Sequence, residues 1–129
     1  MSQSDPFHVW LAGYLDGRGY FGVVYAGKSY SLRIKVTDAK AAPLEQIQRV
    51  TRLGNVKAEG KGKVTVWAWT VSGREVQLLL SRIATHLRFK QAHAEAMLRF
   101  PVTERGEIAT PAQIEQRRQV YERLRQLNS

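Results

Sequence analysis

Ser31, Arg33 and Lys35 alternate with Leu32, Ile34 and Val36, and Lys57, Glu59, Lys61 and Lys63 recur at the same two-residue interval farther along the chain. On extended backbone that interval puts the first set on one side of a strand, and the second belongs to a hairpin beside it. A sheet face built from them is a basic saddle suited to a major groove, with Arg33 and Lys35 placed to read guanines and Lys57, Lys61 and Lys63 to hold phosphates. The plain alternative is a solvated sheet face. A second set lies in Asp16-Gly17-Arg18. An arginine is always cationic, so Arg18 matches phosphate oxygens in a bidentate fork and cannot ligate a divalent cation. On a helix Asp16 points about 200° away from Arg18, which leaves two readings for it, a structural or capping acid and a metal ligand. His8, His86 and His93 have no metal-site spacing.

The composition sets the frame for these residues. Twenty Lys and Arg against eleven Asp and Glu give a net charge of +9 and a pI near 10.3, a field that favours a polyanion. With 129 residues, 43% of them hydrophobic, the chain reads as one domain over 1–129, burying roughly two-thirds of its unfolded surface. It has no cysteine and no long apolar run, so the expectation is a soluble, non-membrane protein of the cytoplasm or an organelle interior, without thiol or zinc-thiolate chemistry.

The elements that must position the charged sets follow from periodicity. Asp5 and Pro6 predict a helix start, and the helix runs to about Asp16 with Phe7, Leu11 and Tyr14 on one side and the small face Val9, Ala12, Gly13, Asp16 and Gly17 on the other. Tyr20 to Ala26 and Tyr30 to Thr37 read as two strands, and Lys40 to Leu53 as a helix that Thr37 or Asp38 is available to cap. Asn55 to Glu59 and Lys63 to Val71 read as a second hairpin around Gly60-Lys61-Gly62, with the core side of Trp67 and Trp69 open to either choice by alternation alone. Ser72-Gly73-Arg74-Glu75 predicts a capping box opening a helix through Leu87, Gln91 to Phe100 another helix, and Thr110-Pro111-Ala112-Gln113 a second capping box opening a last helix with Ile114, Tyr121 and Leu124 facing in. The order is that of an α+β layer with one antiparallel sheet.

Leu11-Ala12-Gly13-Tyr14-Leu15-Asp16-Gly17-Arg18-Gly19 resembles the nine-residue signature of the LAGLIDADG homing endonucleases. Two later stretches add to the likeness: Ile83 to Ala92, similar to the family's lysine-containing segment, and the leucine-asparagine ending within Arg123 to Asn128. The resemblance implies an αββαββα core with extra C-terminal helices, an antiparallel β-saddle, and the tryptophan side of the second hairpin as core. In that family the eighth signature residue is an acid, and the signature helices of two subunits pack together so that the paired acids hold divalent metal ions at the scissile phosphates. Here that residue is Arg18.

The likeness therefore implies a homodimer joined through Val9, Ala12, Gly13, Asp16 and Gly17, on a long near-palindromic double-stranded DNA site. It places Lys90 near the scissile phosphate, Asp38 where a polar residue positions water, and the Gly17 backbone carbonyl and Asp16 as the remaining candidate metal ligands. Mg²⁺ is expected if cleavage survives and no cofactor otherwise. Three functions stay open: a DNA binder whose cleavage is lost or impaired by Arg18, an active metal-dependent site-specific endonuclease, and an RNA-binding splicing cofactor of the maturase kind.

Overall fold

The computed structural model describes residues 5–60, 62–63 and 65–129. Asp5 accepts the Phe7 amide at 2.9 Å and Pro6 fills the first turn of helix α1 (Pro6–Arg18), so the two residues that suit a helix start make one. Strands β1 (Tyr20–Ala26) and β2 (Ser29–Asp38) follow, then α2 (Ala41–Thr51), β3 (Asn55–Glu59), β4 (Val66–Ser72), α3 (Arg74–Ile83), α4 (Gln91–Leu98) and α5 (Pro111–Leu127). The four strands form one antiparallel sheet in the order β1-β2-β4-β3. This is the α+β order that the periodicity predicts. Among the described residues no helix is long and apolar enough to cross a membrane.

Strand register sorts the side chains into two faces. Phe21 pairs with Ile34, Val23 with Leu32, Ile34 with Val71 and Val36 with Trp69, and all of these are buried against the helices. The opposite face carries Arg33 across from Ser72, Lys35 from Thr70, and Lys57 from Ala68. Pairing thus settles what alternation leaves open: Trp69 is fully buried, and its Nε1 donates to the Leu53 carbonyl at 2.9 Å, tying β4 to the end of α2. Leu11 and Leu15 of α1 and Leu79, Leu80 and Ile83 of α3 complete the core. Each such side chain contributes about 1.5–3 kcal/mol by leaving water.

Three local expectations are corrected. Ser72 ends β4 and caps nothing; the helix after it starts from Gly73 without a side-chain cap, while Glu75 accepts the Gly54 amide instead. Asp38 does not cap α2, whose N-cap is Lys40; its Oδ1 accepts the Lys40 amide within the preceding turn. In α5 the Thr110–Gln113 capping box forms as predicted, but Ile114 is 48% exposed and Val120 joins Leu124 in the core.

Gly54 follows the left-handed Arg52 at the end of α2 and itself holds φ +76°. A Cβ there would lie 2.7 Å from both the Thr70 carbonyl oxygen and Trp69 Nε1. Gly54→Ala is expected to lower stability by about 3 kcal/mol, read by urea unfolding, because strain and backbone overlap act together.

Candidate nucleic-acid interface

The outward sheet face is concave. Arg33, Lys35, Asn55, Lys57, Glu59, Ala68, Thr70 and Ser72 line a groove of about 320 Å³ along it. Ser31, Arg33, Lys35 and Lys57 of the predicted saddle all stand on this face by register, and Lys63 is exposed in the approach to β4. Lys61 lies outside the described residues. Lys35 Nζ meets Glu59 Oε2 at 3.0 Å, whereas among the described residues Arg33 and Lys57 have no acidic partner within salt-bridge distance.

Beyond one end of β1, α1 presents the second predicted set, and its residues separate. Asp16 is 8% exposed and turned inward. Its Oδ1 accepts the amides of Phe89 (2.9 Å) and Lys90 (2.9 Å), and its Oδ2 those of Arg88 (3.0 Å) and Phe89 (3.1 Å). The carboxylate therefore pins the bend that leads into α4, up to and including the amide of its N-cap Lys90, whose own side chain makes no cap bond. A negative charge suits that helix end. Ala12 is also fully buried, so of the small face Ala12 and Asp16 are already covered within the chain. Val9, Gly13 and Gly17 remain exposed, and a Cβ on either glycine would meet open space.

Arg18 points the other way, into a ladder the sequence reading missed. Trp10 and Tyr14 stack at 5.0 Å between centroids, Arg18 lies over the Tyr14 ring at 5.2 Å, and the four-residue spacing of all three is the signal that was available. The ladder ends on Asp38. Tyr14 Oη donates to Asp38 Oδ2 at 2.6 Å, and Arg18 Nη1 donates to the same oxygen at 3.1 Å. The Tyr14 hydrogen bond, the Lys40 amide and the Arg18 charge hold the Asp38 carboxyl below its usual range. Burial, then the Asp38 carboxylate, pushes the Tyr14 hydroxyl up to about 12.

Lys90 is half-buried at the start of α4, its amide linked to α1 through the Asp16 carboxylate. His93 is a core residue: its Nε2 meets Asn128 Oδ1 at 3.0 Å, Asn128 Nδ2 donates to the Phe21 carbonyl at 2.9 Å, and burial lowers the imidazole pKa. The leucine-asparagine ending thus ties α5 to β1.

The donors near the end of α1 do not fit a divalent cation. Asp16 is committed to three amides, Arg18 is itself a cation, and the Asp38 oxygen nearest it already accepts two hydrogen bonds. A Gly17 carbonyl ligand would stand without a free carboxylate beside it, and Mg²⁺ favours charged oxygen ligands.

No family model matches the sequence, and no curated protein matches it. Solved structures do. The homing endonuclease I-CvuI bound to the I-CreI target, in the presence of 2 mM Mg with its DNA not cleaved, superposes with TM-score 0.80 at 19% identity, covering 94% of this chain and 81% of that one. The homing endonuclease I-TnaI gives 0.59 at 15% identity over 94% and 95%, and the archaeal intron-encoded I-Vdi141I complexed with DNA gives 0.54 at 13% over 98% and 99%. The chain has the LAGLIDADG homing-endonuclease fold.

The Tyr14–Asp38 bond predicts a pH signature. Asp38 is lowered in the folded state, so its contribution is complete above the ordinary carboxylate pKa and is lost as pH falls through and below it; Tyr14 is raised, so stability also falls as pH climbs from about 10 to about 12. Tyr14→Phe is expected to flatten both limbs in thermal unfolding measured across pH.

Proposed function

We propose that this chain binds a long, near-palindromic DNA duplex as a homodimer, with the saddle in the major groove, and that cleavage is lost or impaired because Arg18 stands where the signature's metal-binding acid belongs. The observation that carries the reading is the division of the sheet: one face is sealed in the core, while the other is a concave groove in which three cations, Arg33, Lys35 and Lys57, face one acid, Glu59. Such a surface attracts phosphates and admits base edges. The fold supports it, since solved proteins with this fold include complexes with DNA.

A second copy suits the outward face of α1. Val9 is 42% exposed there beside the two open glycines, and Phe89, whose amide Asp16 holds, is 80% exposed. Glycines four apart lower intrinsic helix stability by roughly 1 kcal/mol each and let another backbone approach closely. Two such helices side by side bring both Arg18 side chains toward the middle of a two-fold site. Phosphates there compete with Asp38 for the guanidinium, a clamp that works without metal. Lys90, whose amide Asp16 holds, stands beside the same helix.

Incubating the protein with a randomised duplex library in Mg²⁺, then sequencing both retained DNA and new ends, tests the reading. Enriched sequence without new ends is expected; reproducible ends near the centre of the enriched site would restore the nuclease, and a preference for structured RNA over every duplex would favour the splicing cofactor. Gly13→Leu is expected to leave the monomer at least as stable as the parent, since a Cβ there meets open space and leucine favours a helix over glycine, while abolishing the dimer in analytical ultracentrifugation.

A further inference from the structure

We propose that Lys35 and Glu59 act as one base-reading unit, in which Glu59 selects a base that presents an amine, cytosine foremost, at one position of each half-site. The inference rests on the DNA-binding reading above and assigns a specificity-determining role within it.

Among the described residues Glu59 is the one acid lining the groove. On a surface that meets a polyanion an acid weakens phosphate binding, so charge complementarity does not explain its place. Stability explains little either, because Lys35 and Glu59 are partly exposed and water and salt screen most of the attraction in such a pair. Geometry says more. Lys35 lies in the row that pairs with Thr70, and Glu59 in the row that pairs with Val66. The two residues are on strands that flank β4, yet Nζ and Oε2 are 3.0 Å apart. The pair therefore runs diagonally over β4, and the residue of the same face between those rows is Ala68. Its short side chain leaves room for the crossing, and it is only 2% exposed although it faces the groove.

The pair holds two long side chains across the groove floor with hydrogen-bonding capacity to spare. Among the described residues Glu59 Oε1 has no donor, since the Lys35 bond engages Oε2, and an ammonium retains further N–H donors. In a major groove a carboxylate accepts from cytosine N4 or adenine N6, and it is repelled by guanine O6 and N7 and by thymine O4. The neighbouring ammonium donates to guanine O6 and N7, so donor and acceptor together match the edge of a G·C pair. Holding them together in advance also reduces the entropy lost when a base docks.

Wild type, Glu59→Gln and Glu59→Ala are each taken through selection from a randomised duplex library, and the enriched site is titrated with all four bases at every position. The wild type is expected to discriminate about 10-fold at one position per half-site, favouring cytosine. Both variants are expected to fall below about 3-fold there, to keep their preferences elsewhere, and to bind unrelated duplex more tightly. Variants that enrich the same site with the same preference at every position would overturn the inference while leaving DNA binding intact. A wild type that enriches no duplex would overturn the DNA reading, and this assignment with it.

Discussion

Where α1 meets α4, a single carboxylate sets the geometry. The Asp16 oxygens collect the amides of Arg88, Phe89 and Lys90, the backbone donors of the bend that leads into α4, which burial would otherwise leave unpaired. Charge-assisted bonds of this kind are stronger than neutral ones, and three converging on one side chain allow α1 little freedom to slide or rotate. With Asp16 committed inward, helical geometry turns Arg18 outward toward Asp38 and leaves Val9, Gly13 and Gly17 on the surface. The same bonds hold the segment that carries Lys90 and Phe89 against α1.

Charge is distributed to match. The acid of the signature helix is buried in a hydrogen-bonded role, and its outward end is cationic. The groove beyond it carries Arg33, Lys35 and Lys57. Asp38 moderates this field at one point by taking part of the Arg18 charge, and Glu59 does so at another through Lys35. Both acids are anchored by named donors, so the surface is a pattern of placed charges and not an undifferentiated basic patch.

Much of this architecture was legible in the sequence because it depends on local periodicity. The two-residue alternation of Leu32, Ile34 and Val36 with Ser31, Arg33 and Lys35 specified both faces of β2, and Asp5-Pro6 and Thr110-Pro111 marked true helix starts. The misses share a cause. Ser72 looked like a cap by local pattern, but pairing with Arg33 extends β4 through it and the Gly54 amide claims Glu75. Tyr14 reaches Asp38, and Asp16 reaches Lys90, only after the chain has folded. No window of neighbouring residues contains those pairs. Alternation alone left the tryptophan face open for the same reason, since Val36 opposite Trp69 is what assigns it, and it assigns the core side that the family resemblance implies.

The Arg18–Asp38 pair makes the two positions interdependent under mutation. An acid introduced at position 18 alone would face the Asp38 carboxylate across the gap the guanidinium now fills, and like charges at that separation raise one pKa or force the side chains apart. Replacing Asp38 alone would leave Tyr14 without its acceptor and Arg18 without its counter-charge. Substitutions at contacting residues are not additive, so a change of charge at position 18 is tolerated best when position 38 changes with it, and the two behave as one unit of charge.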